Sequence, residues 1–221
     1  MMVMSVLLTS IVLIYFGYVY ACCYLNNVEF TFKNTNVLKL TKNKIFYIIS
    51  AFLTTIVLLC MFQFVYKLDW LTAIRLISLS MILFPIGVID LRTMKIPNHI
   101  LLFAIVLRIL LFAIEMTINT EGAMSAVVEC TIAALIFIIF FLLIAIVFKS
   151  SVGMGDIKLF GVLGFYQGLW GGVNSIFFSL MVSFVLSVGF LITKKKNRND
   201  AIPFAPFILM GTIIAMAMSG M

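Results

Sequence analysis

Two aspartates carry most of the chemical information in this chain. Asp90 follows the uninterrupted apolar run Ile82-Leu83-Phe84-Pro85-Ile86-Gly87-Val88-Ile89, and Asp156 follows Gly153-Met154-Gly155 at the start of another apolar stretch. Acidic residues number only 8 in 221, and a carboxylate held at the edge of hydrocarbon is costly enough that such residues usually have a function. If the two meet, like-charge repulsion keeps them from ionising together, and the pair holds one proton. One ionised and one neutral carboxyl can split a peptide bond, the first taking a proton from water while the second polarises the carbonyl. Each aspartate could instead cap a helix or pair with a neighbouring cation, Arg92 or Lys158. Residue type alone leaves both readings open.

Gly153 and Gly155 place two residues without side chains ahead of Asp156, which permits unusual backbone angles and close approach of another backbone. Such a loop can re-aim a carboxylate or admit an extended peptide. In Lys95-Ile96-Pro97-Asn98 the proline ends the preceding segment, and the asparagine is suited to capping the next helix. Lys158 can favour ionised Asp156, touch a bound peptide backbone, or snorkel to the interface. His99 is the single histidine, and Cys22, Cys23, Cys60 and Cys130 show no CxxC spacing. A metal site needs three or four ligands, so no metal, cofactor or disulfide framework is expected.

The elements that position these residues follow from composition. Apolar residues make up 64% of the chain and charged residues 10%, against roughly a quarter charged in ordinary soluble domains. A bilayer span takes about 20 mostly apolar residues. The expected fold is therefore all-α, a polytopic membrane protein with about eight transmembrane helices. The apolar runs lie near 4–25, 45–66, 70–89, 99–118, 124–148, 157–172, 174–193 and 202–219. The sixth is the weakest, thinned by Gly161, Gly164, Gly168, Gly171 and Gly172. The first lacks a basic start and reads as a retained helix. Residues 1–69 form two N-terminal helices with a short basic loop, and 70–221 form a six-helix core.

The net charge of +7 is read against topology, so membrane lipid and not nucleic acid is the expected surface partner. With the N-terminus outside, the inner loops collect Lys33, Lys39, Lys42, Lys44, Arg92, Lys95, Lys149, Lys158, Lys194, Lys195, Lys196 and Arg198, twelve of the 15 cations. Both termini then lie outside the cell membrane, and Asp90 and Asp156 return to its cytoplasmic face. Lys67 and Asp69 read as solvated residues of an outer turn. Arg75 and Glu129, each five residues into a span, suggest an ion pair at equal depth, set against separate snorkelling.

Three ordered motifs together resemble a known family. They are Asp90-Leu91-Arg92-Thr93-Met94-Lys95-Ile96-Pro97-Asn98, then Gly153-Met154-Gly155-Asp156-Ile157-Lys158-Leu159, then Ile202-Pro203-Phe204-Ala205-Pro206-Phe207. From about residue 70 onward the chain resembles the type IV prepilin peptidases, which are GxGD membrane aspartic proteases. The resemblance implies that Asp90 and Asp156 are the catalytic pair. It implies a prepilin or pseudopilin substrate, made of a short basic leader and a hydrophobic helix after it, with the leader cut off on the cytoplasmic side after a glycine. Many members also carry two CxxC pairs in a large loop after the first helix and methylate the new N-terminus. The corresponding loop here, about Leu25 to Lys44, has no cysteine, so peptidase activity is expected and methyltransferase activity is in doubt. Two other readings are a different GxGD protease, such as a preflagellin peptidase, and a small cation- or proton-coupled transporter, which would need carboxylates at mid-membrane.

Overall fold

The computed structural model describes residues 2–25, 42–148, 153–192 and 202–220, and every regular element among them is helical. Most of the basic loop expected near 26–44, and the basic stretch 194–200, lie outside the described residues. The helices are α1 (Met2–Leu25), α2 (Lys42–Cys60, continued by a π-helical turn Met61–Tyr66), α3 (Trp70–Thr93), α4 (Asn98–Ile118), α5 (Thr120–Val147), α6 (Met154–Ile192) and α7 (Ala205–Ser219). Six are long and apolar enough to cross a membrane, and α7 is a shorter apolar helix. The chain is a multi-pass membrane protein.

The count of six long helices differs from the eight expected spans because α6 joins two of them and α7 is short. The expected sixth and seventh spans form one continuous helical run of 39 residues, interrupted at Gly168, where φ is 71° and ψ is −167°. Only glycine adopts those angles readily. The chain turns back there. A Cβ built on Gly164 would touch one atom of the Phe137 ring, and a Cβ on Gly172 would touch the adjacent ring atom. In an unbroken helix, residues eight apart are about 12 Å apart along the axis, so one ring could not meet both. α6 is thus a hairpin of two helical arms, 154–167 and 169–192, and the expected break near 173 falls instead at Gly168.

α3 is the hub. Of its apolar window 83% is buried, against 22–33% for the other five long helices, which turn a face to lipid. Leu76, Leu79, Leu83 and Ile86 are fully enclosed. With no hydrophobic force between helices in lipid, close approach depends on small residues. Gly17 of α1 lies under Pro85, where a Cβ would stand 3.2 Å from the ring, and α3 continues through that proline. Gly211 of α7 lies directly on the backbone of Ser179 in α6.

The expected Arg75–Glu129 ion pair is not formed. Among the described residues the one ion pair is Arg108–Glu115, at 3.0 Å, with the arginine side chain fully buried. Arg108 also donates from Nε to the Phe165 carbonyl and lies over the Phe112 ring at 3.5 Å. The Glu129 carboxylate rests instead on Gly168, 2.8 Å from where a Cβ would be. Lys67 and Asp69 are exposed, as expected of a solvated turn.

Candidate active site

Asp90 lies one turn before the end of α3. Met94 closes that helix in the left-handed region (φ 51°, ψ 35°), its N–H donating to the Asp90 carbonyl at 2.9 Å. Pro97, extended at φ −68° and ψ 131°, then starts α4. The Asp90 side chain is 5% exposed and reaches a third element. Its Oδ2 accepts from the backbone N–H of Ala205 at 2.9 Å. Ala205 is the first residue of α7, where N–H groups have no partner within the helix and an anion is favoured. Pro206 follows, with no N–H to compete. Asp90 therefore does cap a helix, but one 115 residues away in sequence, and the bond fixes how the carboxylate is turned.

Asp156 is the third residue of α6 and half-buried. Its local geometry explains the glycine pair. A Cβ on Gly153 would stand 3.0 Å from Asp156 Oδ2, and a Cβ on Gly155 would stand 3.0 Å from Ile96 Cβ. The first glycine leaves room for the carboxylate, and the second lets the start of α6 press against the turn between α3 and α4. Lys158 closes the same junction, its Nζ donating to Asn98 Oδ1 at 2.9 Å. Asn98 thus does not cap α4 as expected. Pro97 occupies the cap position, without a side-chain bond, and the asparagine amide ties α4 to α6. Neither aspartate forms an ion pair with Arg92 or Lys158.

These pieces surround a single cavity of about 530 Å³. It is lined by Asp90, Asp156, Gly153, Gly155, Lys158, Lys95, Pro97 and Asn98 together with Tyr24, Met94, Ile96, Met154 and His99. All eight residues singled out in the sequence therefore lie around one space, although three helices and two connections supply them. Two participants escaped sequence reasoning. The Ala205 amide is a backbone group, signalled only by the prolines around it. Tyr24, at the end of α1, is indistinguishable in sequence from an ordinary interfacial aromatic.

Two carboxyls facing one solvent-sized space, with one of them held by a backbone amide, is an arrangement for moving protons to and from a bound group. A comparison with families of known proteins places the chain. Residues 77–192, just over half of the chain, match the type IV leader peptidase family. The chain belongs to that family. The matched region includes both aspartates and the turn between α3 and α4. Over 153 residues it is 31% identical to a prepilin leader peptidase/N-methyltransferase of Bacillus subtilis, covering 69% of this chain and 58% of that protein. Over 60 residues it is 38% identical to a protein of the same description from Xanthomonas campestris pv. campestris, covering 27% and 21% of the two chains. The chain thus spans less than two thirds of the length of these relatives. No solved structure matches it significantly.

Proposed function

We propose that this chain is a membrane-embedded aspartic endopeptidase, that Asp90 and Asp156 are its catalytic pair, and that it removes the short basic leader of prepilin-like precursors. The observation that carries the reading is the shared cavity, which carboxylates from α3 and α6 line together with Lys95, Pro97, Asn98, Gly153, Gly155 and Lys158. Family membership and the printed activity of both relatives support it.

In this mechanism the pair holds one proton. The ionised carboxylate takes a proton from a water molecule as that water attacks the scissile carbonyl, while the neutral carboxyl donates a hydrogen bond to the carbonyl oxygen. The tetrahedral intermediate collapses, the leaving amine takes a proton from the pair, and acid and amine separate. The Ala205 bond keeps Asp90 turned toward this exchange. Gly153, Gly155, Lys158, Lys95, Pro97 and Asn98 shape the cavity.

The core of the enzyme is 70–221, with the helices of 1–69 as an N-terminal pair. Both termini lie outside and the dyad lies at the cytoplasmic face, because a basic leader and the basic loops obey the same charge rule. The loop after α1 lacks cysteine, so the activity proposed is leader removal without N-methylation. Finding an N-methylated product with purified protein and S-adenosylmethionine would overturn that restriction.

The test is co-expression with a prepilin, followed by gel shift and N-terminal sequencing, for wild type, Asp90→Asn and Asp156→Asn. Asparagine keeps the size but cannot exchange the proton. Cleavage after a glycine by wild type alone is expected. Normal cleavage by either inserted variant would overturn the dyad.

A further inference from the structure

The dyad cavity continues beyond the carboxylates. Asn98, His99 and Lys158 line it, and the same three residues line a second, apolar cavity of about 640 Å³. This second space is a groove between α4 and α5, floored by the first arm of α6. It occupies the half of α4 away from the tight turn at Asn119, the residue that both ends α4 and caps α5. Leu102 and Ile105 form one wall, Leu135 and Ile138 the other, and all four are at least 36% exposed. Gly161 keeps the floor low, since a Cβ there would stand 2.7 Å from Ile138 Cδ1. Another apolar cavity, beside α1, is only about 130 Å³ and shares His99 alone with the dyad cavity.

We propose that this groove holds the first turns of the apolar helix that follows the scissile bond of the substrate. The inference rests on the peptidase reading and adds where the substrate lies. A precursor cut beside a membrane helix must offer an extended segment to the carboxylates, while the rest of its backbone stays helical in hydrocarbon, where unpaired N–H and C=O groups are costly. A groove that opens to lipid along its length and runs into the dyad at Asn98 and Lys158 accommodates both parts of one chain. The dimensions fit. From Asn98 to Ile105 the rise along α4 is about 10 Å, or two turns, and two turns of a helix with side chains fill roughly 1000 Å³. The groove therefore takes one face of such a helix and leaves the other to lipid.

The test places a photo-crosslinking amino acid at Leu135, or at Val185 as a control. Val185 is 63% exposed on α6 and lies outside the groove. Membranes carrying each variant are irradiated with an epitope-tagged precursor that has a basic leader and an apolar helix. An adduct to the precursor at Leu135, at least tenfold above that at Val185, is expected. Equal yields at the two positions, or lipid adducts alone at Leu135, would overturn the docking site. Leader removal by the unsubstituted chain is followed in parallel. Cleavage without an adduct at Leu135 removes the groove and leaves the peptidase, whereas absence of cleavage counts against the peptidase reading whatever the adducts show.

Discussion

Replacing Gly153 by alanine isolates carboxylate placement from folding. The added Cβ would stand 3.0 Å from Asp156 Oδ2, closer than such contacts normally come, so the carboxylate must give by a few tenths of an ångström. Gly153 is not in the left-handed region, and alanine there meets no backbone strain. Its effect on the unfolded chain favours stability by about 0.4–1 kcal/mol. Misplacing a reacting group by about 1 Å costs on the order of 10²-fold in rate. A shift of a third to a half of that gives about five- to tenfold, roughly 1–1.4 kcal/mol of barrier.

Gly153→Ala should therefore keep or raise the melting temperature in detergent while lowering kcat for leader removal about five- to tenfold, with KM little changed. Gly189→Ala is the control. A Cβ there meets nothing within 4 Å, Gly189 does not line the dyad cavity, and the variant should cleave at the wild-type rate. Wild-type kcat in Gly153→Ala, with the protein folded and inserted, would refute the argument that this glycine exists to seat the Asp156 carboxylate. A fall in melting temperature matching the fall in rate would refute it equally, because the effect would then be one of folding.

Three further outcomes are expected. Gly168→Ala forces a side chain into backbone angles that essentially only glycine adopts, and should cost about 1–3 kcal/mol, read as a lower melting temperature; an unchanged value would mean that the α6 turn relaxes freely. Arg108→Leu leaves the mostly buried Glu115 carboxylate and the Phe165 carbonyl without their partner, and should destabilise by about 3 kcal/mol, the low end for breaking a buried pair; denaturant unfolding in mixed micelles would show it, and loss below about 1 kcal/mol would sink the account. Lys158→Met removes the bond to Asn98 that ties the starts of α4 and α6; with the lysine exposed, the stability loss should stay under about 1 kcal/mol, while leader cleavage slows several-fold, and equal cleavage rates would make the contact merely peripheral.

The limits of sequence reading in this molecule have a common physical origin. Hydropathy sets which segments enter lipid, so the course of α1 to α5 was legible, and scarcity of charge singled out Asp90 and Asp156, which do line one cavity. Neither the exact start of a helix nor the angle around its axis was legible. Arg75 is five residues into α3, but α5 begins at Thr120, so Glu129 is nine residues into its helix and the expected pair does not form, whereas Arg108 finds Glu115 seven residues on, two turns along the same face of α4. That spacing was readable without knowing how any two helices are rotated.

The same distinction explains the Asn98 and Ala205 results. A cap is a local expectation, and Asn98 had the right type at a helix start, yet the cap position fell to Pro97 and its amide was free to accept from Lys158, 60 residues later. In the opposite direction, the unpaired N–H at the start of α7 was a certainty of helix geometry, but its partner, Asp90, came from another helix. The start of α7 is thus completed by Asp90 of α3, and the starts of α4 and α6 are tied to each other by Asn98 and Lys158. Those three starts surround the dyad. The carboxylates are consequently placed by contacts between helices, and a substitution such as Gly155→Ala, which presses on Ile96 across the α4–α6 junction, should disturb cleavage as much as one beside the aspartates themselves.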